Sequence, residues 1–234
     1  MMHLLPRKSN IYHTQYNDGT VYSGSLNEYF EPHGEGCMSN LNGTFLRGTF
    51  LSGYLSHGSI LNPSSEGTVL YEGECSRGNL AEEYRGVPNG SGRLIYQNGD
   101  CYVGEFQSGK RFGRGIFTRK SGERYQGEFK NDMCHGFGKA RLLLNSTTDN
   151  RGQNMHTISF GYYSGHWENG RRSGTGSMTI PSEILGKGVA QCTYNGQWKH
   201  DMPNGKGVLQ VAGYPLSVYG LWENGIMVQY ESQL

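Results

Sequence analysis

The chain has 234 residues, enough for one large domain or two small ones. Glycine is the outlier at 37 residues, more than twice its usual share of roughly 7%, and the absence of a G-X-Y period excludes a collagen-like chain. Sixteen Tyr against seven Pro argue against a disordered chain, and 21 Lys+Arg against 20 Asp+Glu leave a net charge of +1 that gives no reason to expect nucleic acid as a partner.

Residues 1–15 show no periodicity and read as an N-terminal tail, either loose or an anchoring arm. The opening MMHLLPRKSN lacks the apolar stretch of a signal peptide, and no later run approaches the roughly 18 apolar residues of a membrane helix. Cys37, Cys75, Cys101, Cys134 and Cys192 are odd in number, widely spaced and never in a C-x-x-C pair. That pattern predicts neither a disulfide framework nor a zinc site, and it fits a reducing, cytoplasmic setting.

From residue 16 one phrase recurs. Its first aromatic, taken as position 0, is followed by Gly at 2, an aromatic at 4, Gly or Asp at 7, and Gly at 11 and 13. The first copy has Tyr22 and Gly24 in register, Leu26 at the second aromatic place, and Gly34 and Gly36 one residue late. In the second, Leu46 replaces the Tyr while Gly48, Phe50 and Gly53 keep the frame. The third has Tyr71, Gly73, Cys75 and Gly78, then an insertion near 79–87 that delays Gly90 and Gly92. Copies four and five, CYVGEFQSGKRFGRG and RYQGEFKNDMCHGFG, are the cleanest, and an insertion at 141–158 follows them. The sixth holds Tyr163, Gly165, Trp167, Gly170, Gly174 and Gly176; after another insertion near 180–188 the seventh holds Tyr194, Gly196, Trp198, Asp201, Gly205 and Gly207. The eighth keeps Val218, Gly220, Trp222 and Gly225, and residues 228–234 read as a C-terminal tail. Repeats thus span 16–227. A fixed period of this kind decides the architecture.

Positions 0, 2 and 4 share one face of a strand, whereas a helix would scatter them around its axis. Asn-Gly or Ser-Gly at positions 6 and 7 is a turn signal, and Asp there is tolerable for a related reason. Glycine at position 2 lets the flanking rings lie across the strand, and the pair at 11 and 13 serves the returning strand similarly. The prolines are expected outside strand cores, with Pro32 and Pro203 in the turns. One hairpin cannot bury its aromatic row, but stacked hairpins can. The expected fold is all-β: an elongated, twisted, single-layer antiparallel meander of stacked hairpins.

The pattern Y-x-G-x-[WF]-x-x-G-x-x-x-G-x-G resembles that of MORN repeats, most closely in copies four to seven. The resemblance implies a β-sheet solenoid used as a scaffold, in a family found in cilia and flagella, at cytoskeletal collars and at membrane contacts. No catalytic set, phosphate loop or ligand spacing emerges, so no enzyme activity and no cofactor are expected. Two candidate surfaces stand out. The rings of Tyr102, Phe106, Tyr125, Phe129, Tyr163, Trp167, Tyr194 and Trp198 form either a core or the floor of a protein-binding groove. Lys110, Arg111, Arg114, Arg119 and Lys120, with Arg171 and Arg172 at the matching turn, form either a solvated edge or a basic stripe for an acidic partner or lipid. The expected function is a non-catalytic scaffold or adaptor that docks other proteins in a ciliary or flagellar axoneme or another cytoskeletal assembly. The alternative is a peripheral membrane module that binds acidic phospholipids through the basic edge. Pairing of two copies stays open.

Overall fold

The computed structural model describes residues 11–64, 67–78, 86–144, 159–185, 190–215 and 217–231. The chain divides into two units, Met1–Lys110 and Arg111–Leu234. The first holds β1 (Tyr12–Gln15), β2 (Val21–Leu26), β3 (Pro32–Ser39), β4 (Phe45–Leu51), β5 (Tyr54–Ser64), β6 (Gly67–Arg77), β7 (Gly86–Ile95) and β8 (Cys101–Gln107). Each pairs antiparallel with the next. The second continues with β9 (Lys110–Thr118), β10 (Arg124–Lys130), β11 (Met133–Leu144), β12 (Ser159–Glu168) and β13 (Arg171–Ile180). After the helical turn α1 (Ser182–Leu185) come β14 (Cys192–Lys199), β15 (Met202–Val211), β16 (Ser217–Glu223) and β17 (Ile226–Glu231). These also pair antiparallel in chain order. Each unit is therefore an all-β meander one sheet thick.

Several boundaries differ from the sequence reading. Tyr12–Gln15, placed in the tail, pair with Val21–Gly24 as an added strand. Residues Leu142–Leu144, placed in an insertion, extend β11 opposite Ser159–Gly161. At the other end β17 runs into the expected tail and supplies the returning strand of the eighth hairpin. The insertions at 79–87 and 141–158 lie largely outside the described residues, whereas the one at 180–188 is described as far as Leu185 and holds the end of β13 and α1. Pro32 and Pro203 are strand residues, opposite Leu26 and Trp198. Each sits beside a register shift, where the ladder does not need its missing N–H.

The predicted turns form as expected. Ser108 and Gly109 have φ of 50° and 80°, Asn169 and Gly170 50° and 81°, and Asn224 and Gly225 49° and 85°. Two successive positive φ values define the type I′ hairpin, whose twist matches that of the strands. Asp132 and Asp201 occupy the glycine place at φ 68° and 71°. The first repeat runs one residue late because its turn is longer: Asn27 N–H donates to Glu31 O, and Asn27 Oδ1 accepts from Tyr29 and Glu31 N–H.

The rings of positions 0 and 4 form the core, and glycine makes their packing fit. Each Tyr ring leans across the glycine two residues on and the glycine paired with it. Its hydroxyl then donates to the carbonyl three residues on: Tyr22 to Ser25 at 2.8 Å, Tyr102 to Glu105 at 2.9 Å, Tyr125 to Glu128 at 2.8 Å, Tyr163 to His166 and Tyr194 to Gln197 at 3.0 Å. A Cβ on Gly127 would lie 2.6 Å from the Tyr125 hydroxyl and 2.6 Å from the Cα of its partner Gly138. Only glycine leaves that space.

In the second unit the rings interlock in an unbroken zigzag, Phe129–Tyr125–Trp167–Tyr163–Trp198–Tyr194–Trp222. Neighbouring centroids are 5.1–5.4 Å apart, all edge-to-face. Each Tyr touches the position-4 ring of its own hairpin and that of the next. In the first unit the zigzag survives in pieces, Tyr22–Phe50 and Tyr71–Phe106–Tyr102. It lapses where Leu26, Leu46 and Cys75 stand in for rings.

Candidate functional site

The two surfaces anticipated from the sequence behave differently from each other. Tyr102, Phe106, Tyr125, Phe129, Tyr163, Trp167, Tyr194 and Trp198 are each between 0% and 8% exposed. They are core and not a groove floor. A one-layer sheet can bury them because successive hairpins cover one another, ring edge against ring face. Burial also pushes the Tyr22 and Tyr163 hydroxyls up to about 12 and raises those of Tyr71, Tyr125 and Tyr194. The Cys75 and Cys134 thiols rise to about 12 and 11 for the same reason, which disfavours the thiolate and its nucleophilic chemistry.

The basic edge is broken up by acids from neighbouring turns and strands. Arg111 donates from N–H and Nε to Asp132 Oδ1 at 2.9 and 3.3 Å and from Nη2 to Asp132 O at 2.6 Å. Arg172 repeats this on Asp201 at 2.9, 3.2 and 2.8 Å. Both guanidinium groups turn toward the aromatic face, Arg111 over Phe129 and Phe117, Arg172 over Trp198 and Tyr163. Arg119 pairs with Glu123, Arg114 lies opposite Glu128, and Arg171 lies opposite Glu168. Lys110 and Lys120 are exposed. The Lys110–Lys120 run contains no acid, and apart from the nearby Glu123 its acidic neighbours, Asp132 and Glu128, are brought to it only by strand pairing.

A rule missed in the sequence explains the two arginines. In six hairpins the carbonyl at position 9, or at its equivalent after a longer turn or insertion, accepts the N–H of the position-7 turn residue of the next. Pro32 accepts from Gly53, Pro88 from Gly109, Cys134 from Gly170 and Pro203 from Gly225, at 2.9–3.0 Å. Where the turn residue is Asp, position 9 of the preceding hairpin is Arg, and the same bond forms at 3.1 Å from Asp132 to Arg111 and from Asp201 to Arg172. The signal was available as a covarying Arg–Asp pair one repeat apart.

The opposite face of each sheet carries side chains that the ring core does not use. In the first unit, the position before position 0 and its strand partners set Phe45 opposite Leu61, Leu61 opposite Leu70, and Leu70 opposite Ile95. Phe45 and Leu61 are 39% and 38% exposed. In the second unit the corresponding place holds Arg124 opposite Arg141, and Arg141 opposite Tyr162. These side chains line a shallow concavity of about 470 Å³ with Gln126, Lys139, Ser164 and Ser177. A second concavity of about 310 Å³ on the ring side is bordered by Arg111, Phe129, Cys134 and Trp167. Among the described residues no cluster of three or more His, Cys, Asp or Glu could hold a metal ion, and no helix is long and apolar enough to cross a membrane.

Stacked hairpins, each sealed by the rings of its neighbour, define a β-solenoid repeat protein. The family model for the MORN repeat matches residues 84–101, 102–124, 125–141, 163–183 and 194–210, so the chain is a MORN-repeat protein. It is similar to Alsin of Rattus norvegicus, with 27% identity over 208 residues, covering 89% of this chain and 9% of that protein. Alsin of Homo sapiens and Alsin of Pan troglodytes each share 26% identity over 145 residues, covering 53% of this chain and 8% of theirs. The chain thus spans less than a tenth of the length of these relatives.

Proposed function

We propose that the chain is a non-catalytic docking module that holds other proteins against the outward face of its sheet, as a scaffold or adaptor. The supporting observation is the apolar stripe Phe45–Leu61–Leu70–Ile95, built from directly opposed side chains on a face that the ring core does not use. Apolar side chains aligned across four strands cost solubility, and such exposed patches mark contact surfaces. The MORN repeats support the same reading, and an axonemal or other cytoskeletal assembly is the proposed setting. Binding of acidic phospholipids by the edge cations is the weaker alternative, because Arg111, Arg119 and Arg172 are already ion-paired.

The test is crosslinking in cells followed by purification of the wild type and of a Phe45→Ser/Leu61→Ser variant. The wild type is expected to recover defined partner proteins that co-sediment with cytoskeletal fractions, and the variant to lose them. Recovery of the wild type alone, or of the same partners by both forms, would contradict the proposal. Flotation with acidic liposomes that is lost on changing Lys110 and Lys120 to Glu would favour the lipid alternative.

A further inference from the structure

We infer that the outer face of β10–β12 is a binding site for an acidic, extended protein segment whose carboxylates fall at alternate positions. This rests on the docking reading above and names the chemistry of one of its partners. Tyr125 faces Ala140 in the core, so the flanking residues Arg124, Gln126, Lys139 and Arg141 point outward together. Arg124 and Arg141 are directly opposed, and Lys139 is the diagonal neighbour of Arg124. Like charges directly opposite in an antiparallel pair are destabilising. Among the described residues none of the three is in an ion pair: Arg124 reaches only Gln126 Oε1 at 3.5 Å, and the Arg141 guanidinium lies 3.7 Å above the Phe160 ring. The corresponding rungs of the first unit contrast with this, since Glu72 there faces Arg93.

The neighbouring strand adds neutral hydrogen-bonding groups. Tyr162 lies opposite Arg141 and is 54% exposed, and Ser164 lies opposite Lys139. Beyond them Thr179 and Ser177 continue the two rungs onto β13 with no acid. Repulsive cations beside hydroxyl groups in a concavity of about 470 Å³ are complementary to anions. The two guanidinium forks suit a carboxylate, and the Phe160 ring holds one of them in place before binding. Residues i and i+2 of an extended chain share a face about 7 Å apart, close to the diagonal distance between rungs. One carboxylate then meets the arginine pair and the next meets Lys139. Three cations fall short of the cluster of about four to eight that marks anionic lipid surfaces, which favours a protein segment.

The test is fluorescence anisotropy with a labelled Glu-Ser repeat peptide of about ten residues and its Gln-Ser counterpart. The reference variants are R124Q/K139Q/R141Q and the edge variant K110Q/K120Q, with thermal melts confirming that each folds. Removing the opposed charges is expected to leave the triple variant at least as stable as wild type. The wild type and edge variant should bind the Glu peptide, not the Gln peptide, and the triple variant should bind it roughly tenfold or more weakly. Equal binding by the triple variant, or equal loss in the edge variant, would overturn the inference. So would flotation of phosphatidylserine vesicles that depends on the three cations while the peptide fails to bind. Loss of partners by the Phe45→Ser/Leu61→Ser chain with peptide binding intact separates this site from the apolar stripe.

Discussion

At the scale of single residues, the fold depends on where a hydroxyl and a missing Cβ are placed. A Cβ on Gly176 would lie 2.6 Å from the Tyr163 ring carbon bearing the hydroxyl. Gly176→Ala should therefore destabilise the chain by about 2–3 kcal/mol in urea unfolding. Tyr163→Phe, which deletes the bond to His166 O, should cost only about 1 kcal/mol. The raised tyrosines also fix the sign of the pH dependence. Burial holds Tyr22 and Tyr163 at about 12, above the value of about 10 for an unfolded Tyr. Their contribution is fully present below about pH 10 and is lost as pH rises toward 12, because the unfolded chain releases those protons first. Unfolding at a series of alkaline pH values checks this, and Tyr163→Phe should flatten the decline. A decline unchanged in Tyr163→Phe would show that Tyr163 is not one of its sources.

At the scale of the hairpin, the two buried tryptophans allow a paired comparison. Trp198 Nε1 donates to Gly176 O at 3.1 Å, whereas Trp167 Nε1 is buried with no partner among the described residues. The fifth hairpin already uses Phe129 at this position. Replacement by Phe should thus cost about 1 kcal/mol more at Trp198 than at Trp167, read from melts of the two variants. The turn pairs make a second comparison. A double-mutant cycle on Arg111 and Asp132 should give a favourable coupling of about 1 kcal/mol, since the pair is partly exposed but hydrogen-bonded at three atoms. The hairpin was legible in the sequence because its parts are local: the rings at positions 0 and 4 with glycine between them, the Asn-Gly turn and the glycine pair lie within one phrase. The second partner of each Tyr, the Asp that pairs with Arg111 or Arg172, and the carbonyl that accepts the next turn lie one repeat away. Their distances depend on register. The ends were misread because β1 and β17 obey strand pairing without containing the phrase.

At the scale of the whole chain, the repeated residues build the framework and the variable ones distinguish the two units. The phrase fixes which face is closed, and the closed face contains every ring first considered for a groove. In the first unit the open face carries the apolar stripe across β4–β7, and in the second it carries Arg124, Lys139 and Arg141 on β10 and β11, so the two units present different chemistry to a partner. That division was readable only once Tyr71 and Tyr125 could be set against their partners Leu94 of β7 and Ala140 of β11. The central claim, that the rings are framework and recognition belongs to the other face, is tested by hydroxyl-radical footprinting of the folded chain. Tyr162 and Tyr163 are adjacent and chemically identical, yet 54% and 2% exposed. The structure predicts rapid oxidation at Tyr162 and protection at Tyr163. Equal oxidation of the two would contradict it.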